Sequence, residues 1–195
     1  GYKSGGFNAR PLSGIAEVQT PYDPEIVDSY EVGAKTRWWD RRVTANLAVF
    51  FNDYTDMQLT INATPQNFVR NAGEAEIKGA ELEIVARLAQ GFDVNMAAGY
   101  LDAKYTELDP QLATLNPPLT VDKELVKAPE WTLSVGMQYR FDLGAGEIVL
   151  RGDWAYKSEV FHDVFNDARL AQDAFDLFNA YAAFITSNRQ WEIAV

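Results

Sequence analysis

The chain has 195 residues, with 17 Lys and Arg against 28 Asp and Glu, a net charge of −11, one histidine and no cysteine. That length suits one domain or a piece of a larger one, and the lack of cysteine excludes disulfides, thiolate metal sites and cysteine nucleophiles. The acidic balance speaks against a general nucleic-acid binder, and no apolar run reaches the length of a membrane helix, although a β-barrel, whose strands are never apolar as a block, stays open.

Apolar residues sort onto alternate positions in one segment after another. Tyr30, Val32, Ala34, Thr36 and Trp38 sit opposite Ser29, Glu31, Gly33, Lys35 and Arg37, and a period of two with one charged face is a strand. After a short break the pattern restarts as Val43, Ala45, Leu47, Val49 and Phe51, and Met57, Leu59 and Ile61 resume it in the same phase. A third alternation covers residues 68–88; its apolar set moves from odd (Ala75, Ile77) to even (Ala80, Leu82, Ile84, Ala86) near Lys78-Gly79, which predicts a β-bulge at the glycine. Phe92, Val94, Met96, Ala98 and Tyr100 form the fourth, and Trp131, Leu133, Val135, Met137, Tyr139 and Phe141 the fifth. Ile148, Leu150, Gly152, Trp154 and Tyr156 form the sixth. A seventh strand over residues 175–185 has no clear phase, and an eighth begins at Trp191, Ile193 and Val195.

The connections alternate in length. Short ones fall at residues 39–42, 89–91, 142–147 and 186–190, long ones at 5–27, 62–67, 106–130 and 159–173. Tight turns at one end and large loops at the other describe an up-and-down transmembrane β-barrel, whereas a sandwich mixes loop lengths at both ends. The aromatic residues agree. Trp38, Phe92, Tyr139 and Phe141 flank the short connections, and Tyr30, Tyr100, Trp131, Trp154 and Tyr156 lie toward the long ones, with aliphatic residues between. Two aromatic girdles around an apolar band match a bilayer and its interfaces. The opposite face carries Glu31, Lys35, Arg37, Glu81, Glu83, Arg140, Arg151 and Asp153. A dry core cannot hold so many charges, so these are expected to line a wet lumen, with Glu81 and Glu83 meeting basic neighbours such as Lys35 or Arg37.

Several short pieces resemble one family, and their order and spacing agree with it along the whole chain. Gly1-Tyr2-Lys3-Ser4-Gly5-Gly6-Phe7-Asn8 is similar to a strand end of TonB-dependent outer-membrane receptors. So are Tyr22-Asp23-Pro24-Glu25 followed by Ser29-Tyr30-Glu31-Val32-Gly33-Ala34-Lys35, the strand Phe50-Phe51-Asn52-Asp53-Tyr54-Thr55-Asp56-Met57-Gln58, and Asn71-Ala72-Gly73 with Lys78-Gly79-Ala80-Glu81-Leu82-Glu83. Ala128-Pro129-Glu130-Trp131 and Asn179-Ala180 resemble later parts of the same barrel. The resemblance implies an all-β fold, here about eight strands of a barrel of about 22 closed around an N-terminal plug. The plug, the TonB box, the first half of the barrel and the last strand are expected to lie outside residues 1–195. It also implies TonB-energised import of a scarce solute (a siderophore-bound iron, cobalamin or an oligosaccharide) across a Gram-negative outer membrane. The implied partners are membrane lipid, the TonB complex by way of the plug, and a small ligand.

No enzyme signature, metal site or cofactor motif emerges. His162-Asp163 with Asp167 lacks a second His or Cys, Asp53, Asp56 and Asp102 lack calcium-loop spacing, and Gly144-Ala145-Gly146 reads as a hairpin turn. Ligand contact is expected on the long loops, at Phe161, His162, Phe165, Asn166 and Arg169. Two alternatives remain at this level: a complete eight-stranded structural or adhesion barrel, and a soluble sandwich that binds carbohydrate.

Overall fold

The computed structural model describes residues 1–8, 19–61, 67–115 and 117–195, so parts of the connections expected at 5–27, 62–67 and 106–130 lie outside the described residues. In chain order the strands are β1 (Tyr2–Lys3), β2 (Glu25–Trp38), β3 (Val43–Thr55), β4 (Gln58–Ile61), β5 (Phe68–Asn71), β6 (Gly73–Ala89), β7 (Phe92–Leu108), β8 (Trp131–Asp142), β9 (Gly146–Lys157), β10 (Val160–Phe161), β11 (Ala171–Gln172), β12 (Phe175–Thr186) and β13 (Glu192–Ala194). Nine of them form one sheet in the order β1-β2-β3-β6-β7-β8-β9-β12-β13, every neighbouring pair antiparallel. Each strand of this wall pairs with the next wall strand along the chain, so the sheet is an up-and-down meander without a crossover. Its two edges do not pair with each other among the described residues, which removes the closed eight-stranded barrel.

The register puts like residues in rows. Ala34, Leu47, Leu82, Ala98, Leu133 and Tyr156 are successive cross-strand partners, as are Val32, Val49, Ala80, Tyr100 and Trp131. Because side chains alternate across a pleated sheet, these rows share one face. Nothing among the described residues covers that face: Val32 is 79% exposed, Val49 52% and Met137 51%. A sandwich would have buried it against a second sheet, so the carbohydrate-binding sandwich is also removed.

All four turn connections lie at one end of the sheet. At residues 39–42 the turn uses three successive left-handed residues, Trp39, Asp40 and Arg41. Gly144, at φ 78°, sits in the turn between β8 and β9, where the Leu143 N–H donates to the Gly146 carbonyl at 2.8 Å. The long connections gather at the other end and fold on one another. There β4 and β5 make a separate antiparallel hairpin, β10 and β11 a second, and residues 110–114 a short 3-10 turn. Together they bury an apolar cluster of Leu59, Ile61, Phe68, Ala72, Ala75, Tyr105, Leu112, Leu119, Leu125 and Val164.

Two expectations about the wall change here. Leu59 and Ile61 do not extend β3: the chain breaks at Asp56, a non-glycine residue at φ 56°, and both side chains drop into the cluster at 4% and 0% exposure. The wall resumes only at Gly73, whose φ of 141° and close approach to the Glu107 carbonyl leave no room for a β-carbon. No bulge occurs at Gly79 either. The β6–β7 register slips between Glu74 and Ala75 and between Arg87 and Ala89, but runs unbroken from Ala75 to Arg87. What changes near Gly79 is the environment. Ala75 and Ile77 keep the inner face and meet the loop cluster, while Lys78, on the membrane-side row, lies over the Phe51 ring at 5.6 Å and bonds Glu76 at 2.8 Å. Gly79 is small because the Phe50 ring occupies the space its β-carbon would take.

Candidate ligand-facing surfaces

Alternation along each wall strand places Glu31, Lys35 and Arg37 of β2, Glu81 and Glu83 of β6, Arg140 of β8, and Arg151 and Asp153 of β9 on the face opposite the aliphatic rows. Small residues floor this polar face. Ala97 and Gly99 of β7 pair with Ser134 and Thr132 of β8, giving a shallow depression edged by Glu81 and Glu83 on one side and Lys157 on the other. Gly136 is similarly small because the Asn95 and Asp153 side chains converge over it. Ion pairs form along or between immediate neighbours: Arg151 Nε donates to Asp153 Oδ2 at 2.8 Å, and Arg87 Nε lies 3.3 Å from Asp93 Oδ1. Glu81 and Glu83 do not reach Lys35 or Arg37, because β3 runs between β2 and β6. Asn46 of β3 occupies the row between Lys35 and Glu83, and its amide donates to Glu83 Oε2 at 3.4 Å.

On the aliphatic face the aromatic residues occupy two staggered bands. Toward the turns are Trp38, Phe92, Tyr139 and Phe141; the Phe92 and Tyr139 rings meet edge-on with centroids 6.2 Å apart, and Tyr139 stacks on Phe141 at 5.5 Å. Toward the loops are Tyr30, Tyr100, Trp131, Trp154 and Tyr156; Tyr100 tilts against Trp131 at 4.8 Å, and the Trp154 indole N–H donates to Asp176 Oδ1 at 2.7 Å. Eight residues separate Trp38 from Tyr30 and Phe92 from Tyr100, about 27 Å of strand. At a barrel tilt of ~40° this covers roughly 20 Å of depth, close to the apolar band of an outer-membrane barrel.

The strand β12, whose phase was not apparent, fits once paired. Phe178, Ala180, Ala182 and Phe184 continue the aliphatic rows, while Leu177, Asn179 and Tyr181 face the polar side. Asp176 on the membrane-side row and Leu177 and Tyr181 on the other blurred the period.

The five loop residues divide into two groups. Phe165 packs on the apolar cluster. Asn166, at φ 53°, accepts from the Glu124 N–H at 2.7 Å through its side-chain oxygen and donates to the Glu124 carbonyl at 3.0 Å. The Phe161 carbonyl accepts from the Lys127 N–H at 2.9 Å. These three fasten residues 158–174 to residues 109–130. His162 and Arg169 are exposed. Arg169 clamps Asp167, and that hydrogen bond, with the Arg169 backbone N–H, holds the Asp167 carboxyl down to about 2.

Three further features were not foreseen from the sequence, where Asp163 figured only as part of an incomplete metal group. Asp163 is buried at 4% exposure and accepts from the Phe165 and Asp167 backbone N–H groups at 3.1 and 2.9 Å, an internal cap for its loop. The Tyr105 hydroxyl is buried with no hydrogen-bond partner among the described residues. A cleft of about 420 Å³ opens among Tyr22, Val69, Arg70, Asn71 and Gln111 at the loop end, with Arg70 held by Asp109.

A nine-stranded meander with one bare apolar face between aromatic bands, one charged face and all large loops at one end is part of the wall of a transmembrane β-barrel. The family profile described as TonB dependent receptor-like, beta-barrel matches residues 1–195, and the chain belongs to that family, whose members are outer-membrane receptors and transporters of Gram-negative bacteria. The pesticin receptor of Yersinia pestis is 32% identical over 106 residues, which are 54% of this chain and 15% of the relative. The ferric yersiniabactin uptake receptor of Yersinia pestis superposes with a TM-score of 0.76 at 22% identity, over 97% of this chain and 27% of that one. The ferric preacinetobactin receptor of Acinetobacter baumannii gives 0.70 at 14% identity, over 99% and 27%. The chain therefore spans about a quarter of these solved receptors.

Proposed function

We propose that this chain is the wall and part of the outer roof of a receptor that imports a ferric siderophore across a Gram-negative outer membrane. In this reading residues 1–195 form a partial barrel domain, with the plug, the first half of the barrel and the last strand elsewhere in the parent protein. The turn end faces the periplasm and the loop end the cell surface. The charged face lines the lumen around the plug, through which TonB acts, and Glu31, Lys35, Arg37, Glu81, Glu83, Arg140, Arg151 and Asp153 keep that interior hydrated.

The observation that carries this reading is the uncovered aliphatic face between two aromatic bands, since such a face is stable in lipid and a liability in water. The solute class rests on the similar solved structures, which include receptors for ferric yersiniabactin, ferric preacinetobactin and ferric catecholates and a further siderophore receptor. Of the loop residues, His162 and Arg169 are exposed to a solute, Arg169 while paired with Asp167, and Phe161, Phe165 and Asn166 shape the surface that presents them. Deleting the parent gene should slow growth on one iron-chelated source under iron limitation, and the protein should fractionate with outer membranes. Normal growth on every ferric siderophore tested, with a defect on cobalamin or a glycan, would reassign the solute. A soluble periplasmic pool would overturn the membrane reading.

A further inference from the structure

The turn joining β2 to β3 carries two arginines, where the turn at residues 89–91 carries none and the turn at residues 186–190 carries only Arg189. It carries Trp39, Arg41 and Arg42, all exposed, with Trp39 at 74%. Among the described residues none of these side chains has a hydrogen bond, an ion pair or a ring contact. The turn is also conformationally costly, because Trp39, Asp40 and Arg41 sit at φ 51°, 52° and 66° without a glycine, a region side chains seldom occupy in succession. Its backbone is tied by Arg42 N–H to the Trp39 carbonyl at 3.0 Å and by Arg87 N–H to the Arg42 carbonyl at 2.7 Å. Trp38, one residue earlier, belongs to the aromatic band, and its indole N–H is already donated to Thr36 Oγ1 at 2.9 Å. The free indole and the two free guanidiniums therefore begin where the apolar band ends. The turn between β8 and β9, by contrast, is flanked by Asp142 and Glu147.

We propose that residues 39–42 hold the phosphodiester headgroup of an anionic phospholipid in the adjacent leaflet. Two guanidiniums can chelate phosphate oxygens, the free Trp39 indole suits the glycerol and ester zone, and the neighbouring Trp38 surface accepts the acyl chains. The net positive charge of the turn, two arginines against Asp40, favours an anion, and continuity with the lipid-facing wall selects a membrane lipid over a soluble one. The acidic turn between β8 and β9 should repel the same headgroup, so the wall would be docked in its leaflet at one side more firmly than the other. This rests on the reading that the turn end meets the inner leaflet.

The test uses the full-length receptor, purified in neutral detergent and titrated with phosphatidylglycerol or phosphatidylethanolamine under native mass spectrometry. Wild type should retain phosphatidylglycerol in preference. Arg41→Gln with Arg42→Gln should weaken one phosphatidylglycerol site about tenfold or more, leaving phosphatidylethanolamine unchanged, and Arg41→Lys with Arg42→Lys, which keeps the charge but loses the bidentate fork, should fall between wild type and the Gln pair. Wild-type retention of that lipid should also fall with rising salt, a readout that needs no variant. Unchanged phosphatidylglycerol affinity in the Gln variant, or equal loss of both lipids, overturns the proposal. Failure of the membrane reading looks different: no phospholipid of either kind is retained, and the parent does not fractionate with outer membranes.

Discussion

The wall and the roof are built from the same residue types by opposite rules. In the wall Val32, Leu47, Val49 and Met137 point outward and stay exposed among the described residues, and the strands are held by backbone ladders and by cross-strand contacts on each face. In the roof Ile61, Leu112 and Leu119 are nearly fully buried against side chains from three different connections. A leucine in the wall derives its stability from lipid; one in the roof derives it from close packing. The difference shows that the loop end is a small folded unit on top of a membrane sheet, cross-linked by Asn166 to Glu124, by Arg70 to Asp109 and by Gln58 to the Ser4 and Asp23 carbonyls at 3.0 Å.

Truncations should separate the two regions most sharply. Ile61→Ala removes packing from an inelastic cluster and should destabilise the roof by about 3 kcal/mol, whereas Leu47→Ala on the lipid face should cost no more than about 1 kcal/mol, because lipid fills the space. Urea unfolding of the parent receptor in liposomes, followed by limited proteolysis of the loops, checks both, and equal costs would break the comparison.

A charge should reverse the ranking. Val135→Arg, midway along β8 between Trp131 and Tyr139 and beside Met96, should cost about 2–4 kcal/mol at the bilayer centre, while Ser134→Arg, one residue earlier and facing the polar side, should be tolerated. The measurement is the amount of heat-modifiable folded barrel recovered from outer membranes.

How far the sequence alone reveals each region follows from the same contrast. The wall is legible because lipid on one side and water on the other impose a strict period of two over strands of 12–17 residues. The roof is not, because its strands are short: Leu59-Thr60-Ile61 alternates as a wall strand does, and only Asp56 at positive φ marks the departure. Residues Ala75 and Ile77 look like a change of phase because the inner face turns from wet to apolar where β6 passes under the roof. Pairing between distant loops, such as Asn166 with Glu124 or Arg70 with Asp109, leaves no local period at all. The charged residues of the polar face could be assigned by alternation, but their partners could not, since strand order decides that Asn46 stands between Lys35 and Glu83.

Smaller effects sharpen the account of the roof. Asn166→Ala removes two hydrogen bonds to the Glu124 backbone and should cost about 1–2 kcal/mol locally, seen as faster amide exchange at Glu124 and in β10 with no change in the wall. The weakest effect belongs to Asp167. Its carboxyl is held below its unfolded value, so its contribution is complete above about pH 4 and is lost as the pH falls through about 2. Pepsin nicking of residues 163–170, normalised at each pH to cleavage of an unfolded substrate, should be faster at pH 2 than at pH 4 in the wild type and nearly independent of pH in Asp167→Asn.

The measurement closest to the central claim is a spin-label scan along β8, one label at a time from Trp131 to Phe141, on the full-length receptor in a bilayer. Oxygen accessibility should peak at Leu133, Val135, Met137 and Tyr139, and accessibility to a polar relaxant at Thr132, Ser134, Gln138 and Arg140, out of phase with a period of two. A flat profile, or polar relaxant reaching the odd positions as freely as the even ones, would contradict a wall with lipid on one side and water on the other.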